Sequence, residues 1–458
     1  PNDVVSVSIL RDAAATSIYG VQASNGVIVV ETRRGKSGKP VFTFRSTLGY
    51  QAEPDFGKLN YIGSQELIQL RKDLINSGND ARYFYQELGP IDPVKLILFD
   101  LEDDLITQEE ADAKLAAIGS YNNLKDYSNL FYQTRQTKQV NLDVSGGTDK
   151  STYLLGMNYM TERPQERASQ NDRIILNAAN TYQLSNLFSL DFKATYTNNK
   201  RKNGKIAPYG DLLPYERLVD DYGNALPSTF GEGRDDFYAL NKESSDKVKA
   251  LGLYDMLYYP YEELNANSNK TILNSFRAQG RLNTKITSWL NLDLGGAYEN
   301  EQGINDFLRT DKTYKVRYLA NIKAKKSSSG APMFTDMPQG DVLSKQTLSN
   351  AAYTLRGQLN ANYYSKDKKH NLSGIIGVEQ RRTLAESFKT TFFGYDGQSL
   401  ISKPVNLGAL NTTTPPAFSE LGNYDGTRFK STDYFSETSK DRRFRSYYGQ
   451  GTYVYDRR

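Results

Sequence analysis

At 458 residues, with 38% hydrophobic and 12% aromatic side chains, the chain lacks any run of the roughly 18 to 20 apolar residues that a membrane-spanning helix needs. If it meets a membrane it does so as a closed β-barrel, where only alternate residues are apolar. Lys and Arg total 57 against 53 Asp and Glu, dispersed along the chain, which argues against a nucleic-acid surface, and the absence of cysteine together with a single histidine, His370, excludes disulfides, thiolate sites, a serine-histidine relay and a multi-histidine metal centre.

In chain order, the first 36 residues predict a strand, a short helix, a glycine turn and a second strand. Val4 to Ile9 alternates apolar and small side chains, Asp12 precedes the close-packing run Ala13-Ala14-Ala15, and Gly20 follows Tyr19 where a left-handed cap would end a helix. Asn25-Gly26 then turns the chain into an apolar run, Val27 to Thr32.

From Val41 the pattern changes to long stretches of period two. Phe42, Phe44, Leu48 and Tyr50 alternate with Thr43, Arg45, Thr47 and Gln51. The same rhythm recurs at 139–146, 151–160, 173–184, 188–197, 276–282, 290–294, 353–363, 371–382 and 443–456, which makes about ten strands. Short polar turns are expected near 147–150, 185–187, 286–289 and 366–370, and long loops at about 52–138, 200–270, 303–349 and 383–440. Tight turns at one end and extended loops at the other are the pattern of an outer-membrane barrel rather than of a sandwich. A lysine or arginine facing lipid at the midplane costs about 2 to 4 kcal/mol, so the rows bearing Arg45, Arg277, Arg281 and Arg356 are expected to face a wet lumen. Trp289 suits an aromatic girdle.

The first long loop should hold helices. Leu67, Ile68, Leu70, Leu74 and Ile75 recur at helical spacing up to Gly78, and Thr107 with Glu110 forms a capping box. The second long loop is rich in aromatic residues, of which Tyr209, Tyr215, Tyr222, Phe237 and Tyr238 are candidates for stacking on a substrate or a partner, although internal loop cores explain most such rings. Gly231-Glu232-Gly233 neither follows a strand nor opens a helix and reads as loop flexibility. Asp220-Asp221 and Asp235-Asp236 could ligate calcium but lack a cation-loop spacing, and solvated charge explains them better. No other cofactor and no catalytic group is expected.

The wording of residues 1–36, with SIYG, the NGV turn and a basic GK exit, resembles the C-terminal half of the plug in SusC/RagA-type TonB-dependent outer-membrane transporters, which usually carry lysine where this chain has Arg11. The resemblance implies that 1–38 end a small α+β plug and that 39–458 are the first half of an all-β transmembrane antiparallel barrel, about ten strands of an expected ~22. It implies import of large nutrients, oligosaccharides or peptides, across the outer membrane of a Gram-negative bacterium. The implied partners are a SusD-like surface lipoprotein, the TonB complex acting on a segment N-terminal to Pro1, outer-membrane lipid and a second transporter–lipoprotein pair. Ten strands cannot enclose a plug, so the chain is expected to continue beyond both ends. The alternative is an outer-membrane barrel serving as scaffold or adhesin, or held as a client of the barrel-assembly machinery.

Overall fold

The computed structural model describes residues 4–10, 26–78, 88–229, 239–367, 369–412, 415–422 and 434–456. A two-stranded antiparallel pair, β1 (Val4–Leu10) with β2 (Val27–Thr32), precedes a single sheet. That sheet comprises β3 (Gly38–Gln51), β4 (Arg135–Gly147), β5 (Ser151–Arg163), β6 (Gln170–Gln183), β7 (Phe188–Asn203), β8 (Asn267–Lys285) and β9 (Leu290–Arg309). After a small hairpin, β10 (Lys325–Lys326) and β11 (Pro332–Met333), it continues as β12 (Asp341–Tyr364), β13 (His370–Tyr395) and β14 (Phe435–Tyr455). Each large strand pairs antiparallel with its sequence neighbour, so β3 and β14 are the two edges of a ten-stranded meander.

Tight turns fix the register. Gly147 has φ +148°, and a Cβ there would lie 2.7 Å from the Thr152 backbone, so the β4–β5 turn needs glycine. The connections at 184–187, 286–289 and 365–369 are equally short and share its end of the sheet. At the other end lie the described residues of the connections 52–134, 204–266, 310–340 and 396–434, together with the short link 164–169.

The strands run further than their alternation indicates, which corrects two expected loops. Residues 303–309 belong to β9, 341–349 to β12, 383–395 to β13 and 435–440 to β14. The physical reason lies in the solvent. About 9 to 11 residues suffice to cross a bilayer, and beyond that depth both faces are wet, so backbone pairing persists without any demand for apolar alternation. In β12 the stretch Ser344 to Ser349 pairs in register with β13 and bonds through polar groups, as in Ser344 Oγ to Thr391 Oγ1 at 2.8 Å and Gln346 Nε2 to Ser387 Oγ at 2.9 Å.

The loops build their own cores. Helices α1 (Ser64–Asn76), α2 (Pro93–Glu102) and α3 (Gln108–Gly119) pack Leu67, Ile68, Val94, Ile97, Ala111 and Leu115 together with Leu213 and Tyr215. Helix α4 (Leu124–Phe131) supplies Tyr127 and Phe131 to a second cluster with Tyr209, Leu212, Leu218 and Leu264. A third cluster joins α5 (Lys242–Ala250) to α7 (Tyr314–Ile322), and α6 (Pro260–Ala266) leads into β8. The expected capping box is present: Glu110 N–H donates to Thr107 Oγ1 at 3.2 Å and Thr107 N–H donates to Glu110 at 2.8 Å. Thr107→Ala should cost about 1 kcal/mol, seen as faster amide exchange confined to the first turn of α3.

Glu263 sits buried where three loop elements meet, accepting from Tyr314 N–H at 2.6 Å and from Asn267 Nδ2 at 2.5 Å. Burial pushes its carboxyl above the usual glutamate range, against the opposing effect of these donors. The folded state therefore binds the proton more tightly than the unfolded chain, and stability is lost as pH rises from the ordinary glutamate value of about 4.3 through the raised one. Amide exchange across 260–267 and 314–318, corrected for intrinsic rate, should show weaker protection at neutral pH than in mild acid.

Candidate functional site

Register and alternation divide the ten-stranded sheet into two faces. One carries Phe42 and Phe44 of β3, Val144 and Leu142 of β4, Leu155 and Met157 of β5, and Leu190 and Phe192 of β7, continuing through Leu282, Leu292, Leu359 and Ile376. Many of these are exposed, Phe42 at 80% and Ile376 at 63%. Aromatic rings bound this apolar band. Tyr182, Phe188, Trp289, Tyr363 and Tyr453 stand at the turn end, Trp289 edge-on to Tyr363 at 5.9 Å, and Tyr159, Tyr196, Phe276, Tyr298 and Tyr353 stand toward the loops. Tyr353 and Tyr363 are ten positions apart on β12. At 3.3 Å per residue and a tilt near 40°, that separation spans about 25 Å along the membrane normal, the height of a barrel's apolar band.

The opposite face is polar, and the segment leaving β2 lies on it. Arg33 pairs with Asp143 of β4 at 2.8 Å, Arg34 reaches Asp191 of β7 at 3.5 Å, and Lys193 Nζ donates to Thr32 Oγ1 at 3.0 Å. Gly35 is appressed to the β5 backbone, where a Cβ would stand 2.6 Å from the Tyr153 carbonyl carbon. Beside this contact a cleft of about 390 Å³ opens, lined by Arg34, Thr181, Asp191, Gln279, Arg281 and Arg356 among others.

All four arginines singled out from alternation lie on this polar face. Arg45 stands opposite Asn141, and Arg277 pairs with Glu299 at 3.2 Å. Arg281 and Arg356 are ends of one hydrogen-bonded ladder that the sequence did not reveal. Asp293 accepts from Arg281 at 2.9 Å, Asn283 at 2.7 Å and Asn360 at 2.7 Å; Gln358 donates to Asn360 at 2.5 Å and accepts from Arg356 at 2.6 Å and Tyr448 at 2.8 Å. Arg356 also donates to Tyr448 Oη at 2.7 Å. These groups come from β8, β9, β12 and β14, and strand register brings them level: the turn at 286–289 sets β8 against β9, while β9 meets β12 and β13 meets β14 across long connections. Replacing Asp293 by Leu removes the shared acceptor of three donors. The expected cost is about 1.5 to 3 kcal/mol, mostly from the amides because Arg281 is more than half exposed, and denaturant titration of the folded barrel would measure it.

The loop aromatics divide differently from expectation. Tyr209 and Tyr215 are buried at 6% exposure, donating to Asn123 Oδ1 at 3.0 Å and Asp92 Oδ1 at 2.6 Å, so both rings serve loop cores and do not face a ligand. Burial pushes the Tyr209 phenol up to about 12. Tyr222 is 91% exposed, while Phe237 and Tyr238 lie outside the described residues. Of the motif in the first segment, Asp12, Ala13, Ala14, Tyr19, Gly20 and Asn25 also lie outside them; Gly26 is described and takes φ +99°. Asp220 accepts from Tyr222 and Asn224 within its own turn and Asp221 pairs with Arg217, so both carboxylates have protein partners. Asp235, Asp236 and the Gly231–Gly233 stretch are outside the described residues.

No family model matches the chain. It is 23% identical to the TonB-dependent receptor P3 of Formosa agariphila over 339 residues, 71% of this chain and 29% of the relative. It is also 23% identical to the TonB-dependent receptor SusC of Bacteroides thetaiotaomicron over 388 residues, 84% of this chain and 31% of the relative. The chain thus spans about a third of the length of these relatives. Solved structures of the RagAB peptide transporter superpose on the whole chain with a TM-score of 0.64 at 16% identity, using 45% of their own chain, and the importer's closed-closed state gives 0.63. At such identity the superposition speaks for the fold. The two-faced meander and the segment seated on its polar face agree with these likenesses: the chain is similar in sequence to TonB-dependent receptors such as SusC and in fold to the RagAB transporter.

Proposed function

We propose that this chain is part of a TonB-dependent importer of large nutrients across the outer membrane of a Gram-negative bacterium. Residues 1–38 would end the plug and 39–458 would form the first half of the barrel wall, with the polar face turned to the lumen. The observation that carries this reading is the seat of residues 32–35 on the polar face, because a plug must rest on a wet wall and leave the apolar face to lipid. Support for nutrient import comes from the names of the relatives, a TonB-dependent receptor SusC and a RagAB peptide importer.

The seat is held weakly. Arg34 and Asp191 are both substantially exposed, and an ion pair of this kind contributes about 0 to 1 kcal/mol. Arg33 with Asp143 is better shielded. A few such contacts fix the closed position and yield to a pull from the periplasm, as TonB coupling requires. The ladder from Arg281 to Tyr448 and the adjoining cleft would offer passing cargo exchangeable hydrogen bonds. A SusD-like lipoprotein would cover the loop end, and two such pairs would associate as a dimer.

Cells relying on the full-length protein for growth on an oligosaccharide or an oligopeptide should stop growing when TonB is removed, and an affinity tag on the transporter should recover a SusD-like lipoprotein from mild detergent. Growth that persists without TonB, or copurification of barrel-assembly factors in its place, would reject the proposal.

A further inference from the structure

The outward row of β7 is free of charge from Phe188 to Tyr196 and then changes character. Lys200 and Lys202 follow Tyr196 by four and six positions, and register sets Lys202 directly opposite Lys270 of β8. All three lysines are exposed. Like charges placed directly across a strand pair destabilise it, so this arrangement calls for an anion.

The neighbouring carboxylates on that face are engaged elsewhere. Asp172, across from Lys200, accepts from Thr161 Oγ1 at 2.6 Å and from Gln170 Nε2 at 2.8 Å. Asp306, across from Lys270, pairs with Lys345 at 3.8 Å. Ile272 lies on β8 directly across from Lys200 and two positions from Lys270, and beside it stands Ile304 of β9; with 37% and 44% exposure they give the patch an aliphatic flank. At 3.3 Å per residue and a tilt near 40°, Lys200 stands about 10 Å beyond the loop-side aromatic girdle, at headgroup depth, with Lys202 and Lys270 one step further out. Flexible stems let each ammonium reach back toward the interface.

We propose that Lys200, Lys202 and Lys270 form a site for a phosphate-bearing lipid headgroup of the loop-side leaflet, the ammonium groups binding phosphate and Ile272 and Ile304 packing on the lipid's apolar part. Charge complementarity at this depth favours a lipid over a soluble anion, which would have no use for the aliphatic flank. The inference rests on the strands crossing the outer membrane with their loops outside.

The test uses the full-length transporter in nanodiscs of phosphatidylcholine doped with diphosphoryl lipid A, followed by detergent extraction and a count of the lipid A retained. Wild type should retain lipid A, and the triple variant Lys200→Gln, Lys202→Gln, Lys270→Gln should retain about tenfold less or lower still at low ionic strength, with the difference shrinking as salt rises. Lys150→Gln with Lys366→Gln, at the turn end, should match wild type. Equal retention in the triple variant, or an equal loss in the turn-end variant, would overturn the site. So would crosslinking of position 202 to an acidic protein surface with lipid A retention unchanged. Heat-modifiable mobility of the triple variant on gels shows that the barrel has folded, so a failure here would leave the membrane-crossing reading standing.

Discussion

Phe192→Arg should destabilise folding into lipid vesicles by about 2 to 4 kcal/mol, whereas Thr195→Arg, three positions along the same strand, should cost far less. Phe192 sits midway between Phe188 and Tyr196 on the apolar row of β7, 45% exposed on a face that carries no charge at that depth. Thr195 belongs to the row of Asp191 and Lys193, opposite Arg277, where the surroundings are already polar. Because side chains alternate with a period of two, an odd step along β7 changes the solvent a side chain meets from hydrocarbon to water. Urea titrations of the refolded full-length barrel would read the difference. Equal costs at the two positions would mean that the faces are misassigned.

Gly35→Val should unseat the segment after β2. A Cβ at this position meets the Tyr153 backbone, which cannot rotate aside as a side chain could. Overpacking of this kind costs about 1 to 3 kcal/mol. The exposed ion pair at Arg34 contributes about 0 to 1 kcal/mol, less than the clash costs. Global stability should scarcely change, because the strand ladders are untouched. Limited proteolysis of the folded protein should instead cut at 33–36, and cells carrying the full-length variant should admit a bulky hydrophilic antibiotic that wild type excludes. Wild-type resistance to both would place the closed position in contacts other than this one.

The apolar band was legible because hydrocarbon enforces alternation: Phe188, Leu190, Phe192, Ala194 and Tyr196 announce both the strand and its lipid face. Past the girdle that constraint disappears, so the outer reaches of β12 and β13 looked like loop. The polar face was legible by residue type at Arg45, Arg277, Arg281 and Arg356, but the ladder through Asp293, Gln358, Asn360 and Tyr448 depends on register across four strands, and single residues do not carry it. A count of positions from the turn at 286–289 would have aligned Asp293 with Asn283, whereas its level with Gln358 is set by the pairing of β9 with β12 across a long connection. Tyr209 and Tyr215 resembled contact residues because aromatic composition cannot distinguish a ring on a loop surface from one inside a loop core. Helix periodicity at Leu67, Ile68, Ala111 and Leu115 was the better signal, since those faces needed partners and the two tyrosines lie among them or beside them.

The most direct test of the central claim is a cysteine scan along β7. The chain contributes no native cysteine, so single substitutions from Leu190 to Thr197 in the full-length barrel can carry a nitroxide whose relaxation distinguishes a lipid-soluble from a water-soluble quencher. The account predicts strict alternation, with 190, 192, 194 and 196 reached from lipid and 191, 193, 195 and 197 from water. Uniform access from water along the strand would contradict it.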